Sequence, residues 1–399
     1  MRLSVAYNGD LDLIERLKEI KSVVNLFGSM SKTVTGGGRS SFVLAQISKN
    51  DIEQAVTAAH SYGIEFNYVM NSICTGNKEY TQAIYAEIVA HFDWLRSIGV
   101  DWVTLANPYI IELCKRKFPD IKVSLSTFVS VETIQRAKFY EAIGVDEITV
   151  RENINRKFAL LQALKQSVKC DIQLLANQAC LYQCPFQHYH CNFVSHASQS
   201  GDASSEGLID FCILRCNQYR FSQPAELIKP GWIRPEDLRV YEELGIDKFK
   251  LSDRGSPTAW LVKVARAYHQ RKYEGNLAEI LNLCMGMNRR RGQSRLRADA
   301  SPLTPEITAM RKLLKAFALL EVEIDNQGLN GFLEYFKIAD CNLLACDSCG
   351  YCQKVAEQVV RFPDPQSVAR GLEYLAGLAE AMVDRVGQHH NSIKKEMVL

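Results

Sequence analysis

The sequence predicts an α/β fold: a (β/α)8 TIM-like barrel with a long cysteine-bearing loop after its seventh strand, followed by a small helical C-terminal domain. Short β-rich runs alternate with longer amphipathic stretches up to residue 270 or so, the alternation that builds a parallel sheet with helices outside it. A glycine followed by an apolar residue recurs in Tyr62-Gly63-Ile64, Ile98-Gly99-Val100, Ile143-Gly144-Val145 and Leu244-Gly245-Ile246. In each phrase the glycine stops a helix and the next residue opens a strand. The β-rich runs number eight, the count that closes such a barrel.

Taken in order, the strands are expected at 3–7, 23–27, 65–70, 102–106, 122–128, 147–151, 171–176 and 248–252, with helical spacing of apolar residues between them, as in 52–61 and 131–143. The seventh connection, from roughly 177 to 234, far exceeds an ordinary βα loop. Past 270 the pattern changes. Arg289, Arg290, Arg291, Arg295 and Arg297 fall among glycine, serine and proline, which reads as a linker. Helical patterns near 305–321 and 366–386 then bracket a cysteine motif. The expected domains are a barrel over 1–275, an arginine-rich linker over 276–304 and a helical, ferredoxin-like cluster-binding domain over 305–399, independent of the barrel.

At 399 residues, one barrel of about 250 residues and an accessory domain account for the chain. A formal charge of +2 gives no general pull toward nucleic acid or membrane, and no apolar run is long enough to span a bilayer. The linker arginines lack interleaved aromatics, so solvation rather than RNA contact is expected of them. The opening Met-Arg-Leu-Ser-Val-Ala-Tyr reads as a strand, not a signal peptide, and a cytoplasmic location is expected.

Thirteen cysteines in a chain without a secretory signal point to metal rather than to disulfides. Cys346, Cys349 and Cys352 have the spacing of a ferredoxin-type loop, with Cys341 the nearest fourth ligand. The cysteine-proline step that closes the bacterial ferredoxin run is missing. Zinc is the alternative there, since four thiolates also bind it tetrahedrally. Cys180, Cys184, Cys212 and Cys216 form two Cys-x3-Cys pairs, which suit a cluster bridging two loop segments, with Cys191 able to replace Cys184. Two [4Fe-4S] clusters are therefore expected. A loop after strand seven would hold the first over the barrel mouth, where active sites of this fold lie.

Arg151, Glu152 and Arg254 fall at strand ends facing that mouth. Paired guanidinium groups there suit a dicarboxylate, and an internal Arg–Glu tie between strand ends is the competing reading. Asn71, Asn107, Ser126 and Thr127, also at strand ends, are placed to position a substrate. Gly36-Gly37-Gly38-Arg39 lacks the context of a phosphate-binding fingerprint and reads as a flexible mouth loop whose Arg39 meets an anion. His188 and His190 flank the cysteine loop as acid–base candidates, although a solvated or supporting role is the commoner one. Cys74, Cys114, Cys170 and Cys284 stand alone and read as small buried apolar side chains.

The segment 246–254, Ile-Asp-Lys-Phe-Lys-Leu-Ser-Asp-Arg, followed by Val264-Ala265-Arg266-Ala267-Tyr268, resembles the closing strand and helix of the collagenase-like peptidase U32 family. Leu125-Ser126-Thr127, Phe139-Tyr140 and the run from Gly144 to Glu152 resemble it too, as does the cysteine loop after Leu174-Leu175-Ala176-Asn177. The likeness covers residues 1–275. It implies a barrel, a cysteine-bound [4Fe-4S] cluster, and oxygen-independent hydroxylation of ubiquinone precursors or RNA bases with prephenate as hydroxyl donor. Where many members read His-Gly-Ala, this chain has Asn177-Gln178-Ala179. Where they read Glu-Gly-Arg, it has Ser252-Asp253-Arg254, so the arginine is kept and the acid has moved to Asp253.

The function expected from all this is an iron–sulfur enzyme performing oxygen-independent hydroxylation, or a related redox modification, of a small or ring-containing substrate. Catalytic roles are expected for Arg151, Glu152, Asp253 and Arg254, and substrate contacts for Arg39, Asn71, Ser126 and Thr127. The alternatives are a U32-type peptidase, for which no paired nucleophile and base stand out, and a non-catalytic cluster-bearing subunit of a two-barrel complex. An electron-transfer protein or a second U32-like subunit is the expected protein partner.

Overall fold

The computed structural model describes residues 1–202, 209–283 and 305–384. Cys284 and the five linker arginines named above lie outside the described residues. Eight strands close a barrel in sequential order: β1 (Arg2–Ala6), β2 (Val23–Gly28), β3 (Glu65–Met70), β4 (Trp102–Leu105), β5 (Lys122–Leu125), β6 (Glu147–Thr149), β7 (Asp171–Leu175) and β8 (Lys248–Leu251). All neighbours are parallel, and β8 closes on β1. Helices α1 (Leu11–Leu17), α2 (Lys49–Ser61), α3 (Gln82–Ser97), α4 (Pro108–Lys117), α5 (Ile134–Ala142) and α6 (Phe158–Ser167) fill the first six connections. The seventh carries α7 (Gln187–His196), α8 (Phe211–Ser222), α9 (Ala225–Ile228) and α10 (Leu238–Glu242), and α11 (Thr258–Gln270) follows β8.

Local chemistry sets the boundaries. Ser48 and Asp51 form a reciprocal capping box at the start of α2, satisfying donors that the first turn leaves open. Gly144, at φ +94°, ends the α5 connection in the left-handed region, which side chains with a Cβ rarely enter. Two strands, β5 and β6, end two or more residues before the sequence predicts, each running into a 3-10 turn. Ser126 accepts a bond from the Phe128 amide and starts a 3-10 turn at Thr127–Val129. Arg151 likewise precedes the 3-10 turn Glu152–Ile154 instead of ending β6.

Alternation along each strand divides the side chains. Leu3, Val5, Leu26, Phe66, Val103, Leu105, Val123, Ile148, Leu174 and Phe249 belong to the buried apolar core. The alternate positions are polar and pair across strands: Ser4 with Asn25 at 2.8 Å, Thr104 with Asn67 at 2.7 Å, Ser124 with Glu147 at 2.7 Å, and Thr149 with Gln173 at 3.0 Å. Lys248 adds ion pairs to Glu147 and Asp171, each at 2.8 Å. The barrel is thus laced by hydrogen bonds, which a buried polar group requires.

The C-terminal part comprises α12 (Pro305–Leu319), β9 (Glu323–Ile324), α13 (Cys346–Cys349), α14 (Tyr351–Val359), β10 (Val360–Arg361) and α15 (Pro365–Asp384). It is helical apart from the short antiparallel pair β9–β10. The C-terminal part expected as a separate domain is in contact with the long seventh connection: α15 packs along both α12 and α8, and α14 along α9. The beginning of the expected linker is also built into the barrel. Leu277, Ile280 and Leu281 are fully buried, and Asn282 bonds back to Asn177 and Gln178. No helix among the described residues is long and apolar enough to cross a membrane.

Leu375 is fully buried on α15. Leu375→Ala should cost about 2–5 kcal/mol, the usual range for emptying a leucine site. Urea denaturation should show a single transition, because barrel and C-terminal part share α8. Two separate transitions would show that they unfold independently.

Candidate active site at the barrel mouth

One cavity opens at the C-terminal ends of the strands and encloses about 1230 Å³, its open mouth included, room enough for a ring-sized ligand. All but one of the strand-end and loop candidates read from the sequence line it: Arg39, Asn71, Ser126, Thr127, Arg151, Glu152, Asp253 and Arg254, together with Cys180, Cys184, Cys212 and Cys216. Cys191 on α7 lines it as well, a fifth thiol beside Cys184.

The polar groups are held from different elements. Arg254, buried after β8, donates from Nη1 to Ser29 Oγ at 2.5 Å and from Nη2 to the Gly37 carbonyl. Arg39 Nε donates to Asp253 Oδ1 at 3.2 Å. These bonds, with Gly37 N donating to Ser198 Oγ at 3.0 Å, pin the glycine loop that the sequence suggested was flexible. Gly38 allows a close approach: at φ +62°, a Cβ there would lie 2.4 Å from Asn71 Oδ1. Asn71 Nδ2 in turn donates to Ser126 Oγ at 2.9 Å. Arg151 pairs with Glu132, in the connection after β5, at 3.3 Å and not with Glu152, so an Arg–Glu tie forms with a different acid from the neighbouring one. Asn107 is absent from the cavity lining; it caps α4 by accepting from the Tyr109 amide and donates to Glu79. His188 is exposed, whereas His190 lines the cavity and its Nδ1 bonds to Asp210. Among the solitary cysteines, Cys114 is fully buried, while Cys74 and Cys170 are only partly so.

Burial dominates the thiols. It pushes Cys180, Cys191 and Cys216 each up to about 12 and raises Cys184 and Cys212 as well. Such thiols are ligands only when a metal displaces their protons. Arg220, buried on α8, opposes the rise at Cys180, Cys184 and Cys216. Its Nε has no hydrogen-bond partner among the described residues. A cation with spare donors beside buried thiols fits an anionic thiolate-bound group.

Spacing separates the metal classes. The group of three or more ligating residues among the described residues whose donor atoms all lie within 4.8 Å of one another is His190, Asp210 and Cys212. Tetrahedral zinc with bonds of 2.3 Å needs sulfurs only about 3.8 Å apart, whereas the thiolates of a cubane bind separate irons and stand further apart. Cys212 is the thiol of the mouth set that the group with His190 and Asp210 contains.

Two cavity residues were missed in the sequence. Arg220 falls at helical spacing from Cys212 and Cys216, a signal that was readable. Lys250 on β8 lines the cavity floor, with its Nζ 4.3 Å from the centre of the Phe27 ring. Burial pushes it down to about 8, against which distant Glu147 acts only partly.

The architecture and the site define a class: parallel barrels whose mouth is covered by a cysteine-bearing loop. The sequence profile of Peptidase family U32 matches residues 37–279, and the chain belongs to that family. It is 30% identical over 372 residues to the Methanocaldococcus jannaschii "Uncharacterized protease MJ1657", covering 90% of this chain and 98% of that one. It is 25% identical over 232 residues to the Bacillus subtilis "tRNA hydroxylation protein P1", over 51% of this chain and 53% of the relative. A 183-residue stretch is 26% identical to the Escherichia coli "23S rRNA 5-hydroxycytidine C2501 synthase", over 46% of this chain and 25% of that one. The solved U32 peptidase Mk0906 superposes with a TM-score of 0.47 at 21% identity, over 63% of this chain and 93% of that one.

The depressed Lys250 carries a stability cost with a definite sign. Between about 8 and its ordinary 10.5 the unfolded chain binds the proton and the folded chain does not, so stability rises with pH across that window. The cost is full below pH 8. Lys250→Met should therefore stabilise the protein at pH 7 by roughly 1–3 kcal/mol, an advantage that shrinks toward pH 10.5 in urea titrations at several pH values. A pH-independent difference would mean that the gain comes from packing.

Proposed function

We propose that this protein is an enzyme of oxygen-independent hydroxylation, acting on a ring-containing substrate with an anionic hydroxyl donor. The observation that carries the reading is the convergence of five thiols, two of them buried, with Arg151, Arg220, Arg254 and Lys250 on a single cavity at the C-terminal end of the barrel. Two relatives whose names state hydroxylation of tRNA and synthesis of a hydroxylated rRNA base support the reaction class. A nucleobase-like ring is accordingly the acceptor to try first, and prephenate the donor.

Cys180, Cys184, Cys212 and Cys216 are the residues to hold an iron–sulfur cluster, with Cys191 in reserve. When bound, such a cluster supplies one-electron redox chemistry or an electrophilic iron. The chain's own residues do the rest. Arg151, tied only to Glu132 and with its Nε lacking a partner among the described residues, is the guanidinium most available to a carboxylate. Arg254 mainly braces the Gly37 loop. Lys250 exchanges a proton near neutral pH on the cavity floor, where a hydroxyl moving from donor to acceptor needs one supplied or removed. Glu152, which accepts from Thr127 Oγ1 at 3.4 Å, keeps Thr127 directed at the cavity.

The peptidase reading has one observation in its favour, the grouping of Cys212 with His190 and Asp210. A thiol nucleophile needs a lowered pKa or an adjacent free base. Here burial and Asp210 both raise Cys212, the opposite of activation.

Anaerobic turnover of ring acceptors with prephenate, in labelled water and under labelled dioxygen, tests the reading. No label should arrive from dioxygen. Arg151→Ala should weaken donor binding by about 1.5–3 kcal/mol, the range for charge-assisted bonds. Label from dioxygen, or peptide cleavage without any hydroxylation, would overturn it.

A further inference from the structure

The second cysteine set lies against the barrel wall, on the far side of the segment that carries Arg151 and Glu152. Cys341, Cys346 and Cys352 line a cavity with Asn153, Arg156, Lys157, Tyr182 and Lys229. Cys346 and Cys349 bound the short α13, Gly350 turns the chain at φ +62°, and Cys352 opens α14. One tight turn thus gathers three thiols, and Cys341 approaches from before it. Tyr335 hydrogen-bonds to Cys349 Sγ at 3.0 Å and stacks on Tyr351 at 3.9 Å between ring centres.

Arg156 is the decisive neighbour. It is buried, and its Nη1 donates to the Ile228 and Lys229 carbonyls at 2.7 and 3.2 Å. Its guanidinium lies 4.7 Å from the ring centres of Trp232 and Phe332 and 5.1 Å from that of Phe336. Nε and Nη2 have no hydrogen-bond partner among the described residues. The strongest favourable charge interaction acting on it comes from Cys352, ahead of Tyr241, with Cys341 next. Asp237 contributes less than either thiol, and a buried cation costs several kcal/mol unless something anionic meets it closely. Neutral thiols supply no such charge.

We propose that Cys341, Cys346, Cys349 and Cys352 hold an iron–sulfur cluster against the barrel, with Arg156 as its buried counter-cation. The net negative charge of a thiolate-ligated cluster answers the open Nε and Nη2 of Arg156. Cys346 is exposed, so one side of the site faces solvent, open to a low-potential one-electron donor. This assignment stands whether or not the mouth cavity holds a cluster.

The full-length chain, reconstituted anaerobically with ferrous iron and sulfide, provides the test. Cys349→Ser with Cys352→Ser should remove about four irons per chain and one electron paramagnetic resonance signal. Cys212→Ser with Cys216→Ser should leave that signal in place, so failure of the mouth reading registers separately. Arg156→Met should move the signal's midpoint potential to a more negative value, because adding an electron loses its nearby positive charge, and Arg156→Lys should restore most of the shift. Iron content unchanged in the first variant, stoichiometric zinc in place of iron, or a potential indifferent to Arg156→Met in a chain that keeps its iron would each overturn the proposal.

Discussion

Both cysteine sites depend on the clamp that Asn155 places on the turn after β6. Its Nδ2 donates to the Leu175 carbonyl at 3.1 Å and to the Gly231 carbonyl at 2.7 Å, tying the turn to the end of β7 and to the far end of the long connection. Gly231 presses so closely on this turn that a Cβ would lie 1.8 Å from the Glu152 carbonyl oxygen. A backbone contact of that kind cannot yield as a flexible side chain would. From the clamped turn Arg151 and Glu152 face the mouth, while Asn153 and Arg156 face the C-terminal thiols. Tyr182, lying between Cys180 and Cys184 in sequence, lines the second cavity rather than the first, so the two sites share a wall built from the same segments.

The polar interior of the barrel sets the chemistry of the mouth. Lys248, near the start of β8, is matched by Glu147 and Asp171, and those ion pairs close the lower end. Lys250, one alternation higher, meets the Phe27 ring and has no ion pair among the described residues. The same strand therefore carries a neutralised lysine and a lysine whose charge is left costly. Groups held at such cost are found where a pKa must be matched to a task.

Much of this was legible in the sequence, and the exceptions have physical causes. Helix-stopping glycines and strand alternation are local signals, which is why the eight strands and their order could be read. The mouth residues were equally accessible, since the barrel delivers strand ends to one place whatever lies between them. Lys250 escaped because polar residues alternating along a strand ordinarily face water, whereas a barrel with a polar interior turns that face inward. The strand ends at Phe128 and Arg151 were overextended because Ser126 and the chain after Thr149 redirect the backbone into 3-10 turns. The docking of the C-terminal part could not be foreseen. It rests on meetings such as Arg156 with Phe332 and Phe221 with Phe362, which join residues far apart in sequence and leave no periodic trace.

Helix α8 is a wall with two sides. Cys212, Ile213, Cys216 and Arg220 line the mouth, and α15 packs along the same helix. Gly371 lets α15 also lie close on α12, where a Cβ would stand 3.1 Å from the Ala316 carbonyl oxygen. Close-packed interfaces transmit small displacements because they contain little void to absorb them. The outer helix is therefore a lever on the inner surface: homologues that vary the apolar residues of α15 can retune the shape of the mouth without altering any group that touches the substrate.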